Sequence, residues 1–172
     1  MTRVAVATVA EALALRMRGV SCSILLLGTL HPSDAAAAAA AAATPVLSSV
    51  EGIKAWASAL RANPKALNKA HLKIDTGMRR NGVAASEVLT YISSAAQAGV
   101  ALEGIMSHFS SADDNHEYTA HQTKLFADAL STIPKAQRPS LAHICGTAGD
   151  RTSHAAVTRS RLMQPSHVTR CS

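Results

Sequence analysis

The stretch "HLKIDTGMRRNGV", His71 to Val83, joins an alternating apolar run to a turn that contains two glycines. Lys73 stands between Leu72 and Ile74, and in a parallel strand buried on both faces such a lysine needs an anionic partner or loses its charge. Side chains alternate along a strand, so Asp75 shares the face of Lys73. The pattern predicts a strand with two charged residues on one face. A structural ion pair between them, or an edge strand, would also explain it.

The turn that follows, "DTGMRRNG", is predicted to approach a ligand closely. Gly77 and Gly82 permit backbone conformations and close contacts that other residues do not. Arg80 would be held on this turn, where its guanidinium suits a carboxylate, a phosphate or a phenolate oxygen. Arg79 is expected to be a solvated surface charge.

Strand-like and helix-like segments alternate along the whole chain. The apolar runs predict strands in "RVAVATV", "CSILLLGTL", "TPVLSS", "AHLKIDTG", "LEGIMSHFS" and "SLAHICGT", with "VTRSRLM" as a candidate last strand. Helical spacing marks "AEALALRMRG", "VEGIKAWASALRAN", "SEVLTYISSAAQAG" and "HQTKLFADALST". Such alternation predicts a parallel sheet covered by helices.

Two local features refine this order. The alanine run Ala35–Ala43 predicts a short helix with a low-complexity expansion, because alanine has the highest helix propensity. Pro45 is expected at the first residue of its strand, where it removes no ladder hydrogen bond.

Polar residues follow three of the predicted strands. Asp75, His108 and Thr147 stand at or just after the carboxyl ends of their strands. Both (β/α)₈ barrels and doubly wound sheets place their chemistry there, so the two folds stay open on this criterion. A lone histidine is most often structural, and "CGT" at 145–147 is a weak phosphate-binding pattern, with Gly146 and Thr147 as its candidate groups.

Composition excludes several classes of protein. Four of the six net positive charges are arginines in residues 151–172, which contain no carboxylate, so the first 150 residues carry only +2. Aromatic residues make up 3% of the chain, so the base-stacking pattern of nucleic-acid binders is missing. Three cysteines without CxxC spacing favour neither disulfides nor zinc and suit a reducing cytoplasm. No segment reaches membrane-spanning length, and no leader is expected.

Four segments together resemble the alanine racemases, a fold-type III family that uses pyridoxal 5'-phosphate (PLP). They are "VATVAEALALR", "KIDTGMRRNG", "GIMSHFSSAD" and "HICGTAG", in the family's order between residues 3 and 163. The resemblance implies an incomplete (β/α)₈ TIM barrel that lacks its first strand and the C-terminal β domain. It also implies a homodimeric family that interconverts L-alanine and D-alanine for the cell wall. Residues 1–163 are expected to form the barrel and 164–172 a divergent basic tail.

The family's roles map onto matching positions of this sequence. Lys73 corresponds to the strand lysine that many members carbamylate, beside Asp75 on the same wall of the PLP site. Arg80 corresponds to the arginine at the phenolic oxygen of PLP, near the substrate carboxylate, and His108 to the active-site histidine. The resemblance places Gly146 and Thr147 at the cofactor phosphate, although Gly146 replaces an asparagine.

The sequence also departs from the family. Arg159 aligns with the arginine that faces the pyridine nitrogen, but Ser160 and Arg161 replace the proline and glycine that should follow. The PLP lysine motif Lys-Ala-Asn-Ala-Tyr-Gly does not occur, and Tyr91 and Tyr118 are in the wrong context to be the catalytic tyrosine. A chain inactive by itself is therefore expected. A non-catalytic PLP-binding barrel, a truncated gene product and another fold-type III enzyme are the alternatives.

Overall fold

A computed structural model describes residues 3–112, 114–145 and 157–159. Strands and helices alternate, as the sequence predicts. The strands are β1 (Arg3–Val6), β2 (Ser23–Thr29), β3 (Ala43–Leu47), β4 (Ala70–Asp75), β5 (Val83–Ala84), β6 (Leu102–His108), β7 (Leu141–Cys145) and β8 (Val157–Arg159). The helices are α1 (Val9–Met17), α2 (Ala35–Ala40), α3 (Val50–Ala62), α4 (Val88–Gln97) and α5 (His116–Thr132).

The strands form one sheet in the order β1-β2-β3-β4-β6-β7-β8, and the short β5 pairs with β4. The six strands from β1 to β7 on this path are parallel and curl into half of a barrel. The curl brings Arg3 of β1 within 3.0 Å of Glu103 on β6, although three strands separate them in the sheet. The predicted incomplete barrel is thus confirmed.

The last strand differs from the all-parallel prediction, because β8 pairs antiparallel with β7. Eleven residues separate the two strands. A parallel crossover needs a dozen or more residues, whereas an antiparallel neighbour can follow a shorter connection. The direction of β8 agrees with the length of this connection.

Side-chain caps fix where three of the helices begin. Thr8 and Glu11 form a reciprocal capping box at α1, since the Thr8 hydroxyl accepts the Glu11 N–H and the Glu11 carboxylate accepts the Thr8 N–H. Ser49 accepts the N–H of Gly52 at α3, and Asn115 caps α5 in the same way. Each cap satisfies a backbone donor that the helix itself leaves unpaired.

The alanine run forms both helix and strand. α2 ends at Ala40, Ala42 has a φ of +47°, and Ala43 opens β3, so the predicted helix is shorter than the run. Pro45 is the third residue of β3 and not the first. It lies where the β2–β3 register shifts, between the Leu25 and Thr29 pairings, so its missing N–H interrupts an already irregular ladder.

The core has an outer layer under the helices and a smaller inner layer. Two outer clusters pack helices on the sheet, one around Trp56, which is fully buried, and the other around Leu72, Ile105 and Phe126. Leu25, Val46 and Met106 form the inner cluster within the curl. No helix in the described part of the chain is long and apolar enough to span a membrane.

Arg16 of α1 joins three segments by satisfying backbone carbonyls. Its Nε and Nη2 donate to the carbonyls of Ala41 and Ala42 at 2.7 and 3.2 Å, where α2 turns into β3. Its Nη1 donates to the carbonyls of Val20 and Cys22 at 2.6 and 2.8 Å. One guanidinium therefore fixes the path of the chain both before β2 and before β3.

We expect Arg16→Met to lower the free energy of unfolding by about 2 kcal/mol, because hydrogen bonds to charged groups contribute about 1.5–3 kcal/mol. Urea unfolding followed by circular dichroism measures the change. Arg18→Met, at the exposed residue that follows α1, is the matched control and should stay within about 0.5 kcal/mol of wild type. Equal losses in both variants would contradict the role of Arg16.

Candidate active site

Lys73 lies inside the curl near the carboxyl end of β4. Its side chain is 3% exposed, and its Nζ donates to the side-chain carbonyl of Asn81 at 2.5 Å. Asn81 is eight residues further along the chain, so the turn after β4 must fold back to make this contact. The buried ammonium thereby gains a neutral acceptor.

Asp75 stabilises that turn. One oxygen of its carboxylate accepts the backbone N–H of Gly77 at 2.8 Å and that of Arg79 at 3.1 Å. This local bonding pattern is typical of aspartate at turns. Arg79 has a φ of +53°, in the left-handed region. The structure assigns Asp75 a role in shaping the turn that carries Arg80 and Asn81.

The two glycines of the turn are required by close contacts. Gly82 has a φ of +134°, and a Cβ there would lie 2.6 Å from the backbone nitrogen of Asp75. Gly77 has a φ of +137°, and a Cβ there would clash with the Tyr118 hydroxyl. That hydroxyl donates to the Gly77 carbonyl at 3.1 Å, so α5 braces the turn.

His108, the last residue of β6, lies near both Lys73 and Arg80. Partial burial of its imidazole lowers its pKa below 6.5, and the positive charges of Lys73 and Arg80 lower it further. Arg79 has no such effect on it. The structure thus brings three predicted site residues together at the carboxyl ends of β4 and β6, where parallel barrels carry their chemistry.

A buried polar network fixes these two strand ends. The hydroxyls of Thr76 and Ser107 lie 2.8 Å apart, and Ser107 donates to the Ile74 carbonyl. The amide nitrogen of Gln122, from α5, donates to the His108 carbonyl at 3.1 Å and to the Thr76 hydroxyl at 3.3 Å. Gln122 is fully buried, so its bonds are shielded from water and hold His108 in place.

Asn81 and Gln122 are functional candidates that the sequence reading missed. Gln122 shares the buried face of α5 with Phe126 and Ala129, at the i, i+4, i+7 spacing of a helix face. The polar Gln122 on an otherwise apolar helix face is the sequence feature that could have identified it. No comparable signal exists for Asn81, because its contact with Lys73 depends on the geometry of the turn.

Of the other predicted residues, Arg159 is not brought to this group. Gly146 and Thr147 lie outside the described residues. Arg159 lies in β8 opposite Leu141, the first residue of β7, whereas His108 pairs with Cys145 at the other end of that strand. Four residues of strand, about 13 Å, separate the two positions. Within the described residues, no group of three His, Cys, Asp or Glu side chains is placed to hold a metal ion.

A family model described as "Alanine racemase, N-terminal domain" matches residues 1–162. The chain belongs to the alanine racemase family. The predicted family is confirmed, while the boundary between residues 163 and 164 stays a prediction.

Two curated alanine racemases show the extent of the similarity. The enzyme of Geobacillus stearothermophilus is 37% identical over 150 residues, which cover 86% of this chain and 38% of that protein. The enzyme of Staphylococcus carnosus is 35% identical over 151 residues, covering 84% of this chain and 38% of the relative. The chain therefore spans about two-fifths of the length of these racemases.

Solved structures agree with the fold. An alanine racemase of Clostridium difficile 630 in complex with cycloserine superposes with a TM-score of 0.74 at 26% identity, covering 86% of this chain and 41% of that one. A histidine racemase of Leuconostoc mesenteroides superposes with a TM-score of 0.71 at 29% identity, covering 81% and 38%. The half-barrel corresponds to part of a racemase fold.

We expect Arg80→Met to raise the pKa of His108 toward 6.5, because removing a nearby positive charge stabilises the imidazolium. The imidazole would then hold its proton to a higher pH than in wild type. A histidine-resolved NMR titration measures the shift. Arg79→Met removes the neighbouring exposed arginine and should leave the pKa of His108 unchanged. The same response to both substitutions would contradict the placement of Arg80.

Proposed function

We propose that this chain forms the cofactor-positioning wall of an alanine racemase, which interconverts L-alanine and D-alanine with PLP. The observation that carries the proposal is the convergence of Lys73, Arg80 and His108 at the carboxyl ends of two adjacent strands. The relatives named alanine racemase support the choice of substrate. A cytoplasmic homodimer is proposed on the same resemblance.

The residues present fit one side of PLP. PLP carries a phosphate and a phenolic oxygen, both suited to cationic neighbours, and Lys73 and Arg80 supply two positive charges beside His108. Gly82, whose missing side chain lets the turn fold tightly onto β4, sets the position of this cationic wall. Arg80 would hold the phenolic oxygen. The phosphate contacts of Gly146 and Thr147 and the pyridine contact of Arg159 rest on the resemblance alone.

PLP, when bound, acts as an electron sink that acidifies the α-hydrogen of an amino acid. Toward that chemistry, Arg80 supplies a permanent positive charge, and Asn81 orients the Nζ of Lys73. The lowered pKa of His108 keeps its imidazole neutral at neutral pH, so it can both donate and accept a hydrogen bond. The Gln122 network fixes the backbone that carries it.

The sequence favours a second candidate, a barrel that binds PLP without catalysis. The Lys-Ala-Asn-Ala-Tyr-Gly motif does not occur among the 172 residues. Racemisation requires a lysine that holds the cofactor and a base on the opposite face of the substrate. We propose that the isolated chain binds PLP reversibly and does not racemise alanine.

We expect PLP to bind the purified chain reversibly and to leave no covalent lysine adduct after borohydride reduction. Arg80→Met should weaken binding about tenfold, the effect of losing an interaction of about 1.4 kcal/mol, whereas Arg79→Met should bind like wild type. Equilibrium dialysis measures affinity, and intact mass spectrometry detects the adduct. Equal affinity in all three proteins would contradict the role of Arg80 in binding PLP. An adduct on a unique lysine would contradict reversible binding.

Exchange of the alanine α-hydrogen in D₂O, followed by NMR in the presence of PLP, separates the two candidates. The isolated chain should show no exchange above free PLP. Exchange that disappears in Arg80→Met would show that the chain is catalytic alone and would overturn the proposed inactivity.

A further inference from the structure

A second cluster of ionisable groups lies inside the half-barrel, toward the amino ends of the strands. Nδ1 of His71, on β4, lies 2.8 Å from Nε2 of His143, on β7. The two rings meet edge to face with centroids 5.0 Å apart, and both are buried. The proposed cofactor site does not use either histidine.

The histidine pair bridges β4 and β7 across β6. Gly104, on β6, pairs with His71 on one side and with Leu141 on the other. A Cβ at Gly104 would lie 2.5 Å from the His71 ring, so the ring occupies the space of a side chain that glycine lacks. The two imidazoles can therefore meet above the strand that separates them.

Glu103 extends this contact to β1. Its carboxylate binds the guanidinium of Arg3 at 3.0 Å and the ammonium of Lys69 at 2.9 Å. One of its oxygens lies 3.7 Å from Nε2 of His71, a nitrogen with no hydrogen-bond partner among the described residues. The register shift between Ala70 and His71 accompanies this arrangement. One chain of polar contacts thus links β1, β4, β6 and β7.

We propose that His71, His143 and Glu103 form a pH-sensitive clasp, a polar contact that ties β4 to β7 across β6 until both imidazoles are protonated. The proposal does not depend on PLP or on racemase activity. The 2.8 Å contact needs one N–H donor and one acceptor, which two neutral rings supply. A singly protonated pair still has both. A doubly protonated pair presents two donors to each other, so the contact between β4 and β7 is lost.

The charges around the two histidines decide whether protonation of the pair is favoured or opposed. Arg3 faces it from β1, Lys69 and Lys73 come from the β4 segment, and Glu103 comes from β6. Positive groups outnumber the single carboxylate. Burial would raise the pKa of Glu103, but the Lys69 hydrogen bond and the charges of Arg3 and Lys69 lower it overall, so the carboxylate stays charged in mild acid.

The pKa values agree with this geometry. Burial, the neighbouring His143 and Arg3 lower the pKa of His71 to about 3, and burial and Arg3 lower that of His143 to about 4. The unfolded chain binds these protons near pH 6.5, before the folded chain does. The stabilisation is therefore complete above pH 6.5 and is lost as the pH falls toward 3.

Urea unfolding between pH 7.5 and 5.0 tests the clasp. Below pH 6.5 the unfolding constant of wild type should rise by up to about tenfold per pH unit for each buried histidine. The double variant His71→Gln/His143→Gln keeps polar side chains that do not titrate. The slope of its unfolding constant against pH should therefore lose the part that the two histidines contribute. His121→Gln, at an exposed position of α5, should retain it. Identical slopes in wild type and the double variant would overturn the proposal.

Two measurements on the unmodified chain cover the case in which the double variant fails to fold. A histidine-resolved NMR titration should find His71 and His143 neutral down to pH 5, and a pKa near 6.5 for both would refute the clasp. Amide exchange, corrected for the intrinsic effect of pH, should accelerate below pH 4, where the imidazoles bind protons, in residues 70–73 and 103–105 before it does in α3. Uniform acceleration would mean global unfolding without a clasp.

Discussion

The pairing of β4 with β6 is the contact on which both polar clusters depend. Its register sets Leu72 beside Ile105 and Lys73 beside Met106, so alternate residues face the helices or the interior of the curl. The interior face of β4 then carries His71, Lys73 and Asp75 in succession. A shift of one residue would move all three to the apolar outer core, away from the polar partners that they have inside the curl.

The two ends of this interior face treat charge differently. At the carboxyl end, Lys73 and Arg80 concentrate positive charge beside His108, an arrangement that suits an anionic ligand. At the amino end, the Glu103 carboxylate pairs with both Arg3 and Lys69, and two imidazoles remain uncharged. Met106, between them in the inner cluster, separates a ligand-binding end from a strand-holding end.

The parts of this structure that follow from local pattern could be predicted, and those that follow from register could not. The apolar run around Leu72 and the placement of His108 at a strand end are visible in the sequence. The contact between His71 and His143 spans 72 positions and requires a glycine on the intervening strand. Neither that contact nor the contact between Asn81 and Lys73 produces a periodic pattern in the sequence.

Local propensity also misleads where tertiary pairing opposes it. Ala43 continues an alanine run that favours helix, yet its backbone pairs with Ile24 of β2. The direction of β8 likewise depends on the short connection after β7. The apolar pattern of a strand does not indicate its direction in the sheet.

The burial of Trp56 has a spectroscopic consequence. It is the single tryptophan of the chain, and its indole belongs to the outer cluster between α3 and the sheet. Its emission therefore reports on the packing of the outer layer, remote from the interior face that carries both polar clusters. Access of a soluble quencher to this indole would distinguish loosening of the helical layer from events confined to the inside of the curl.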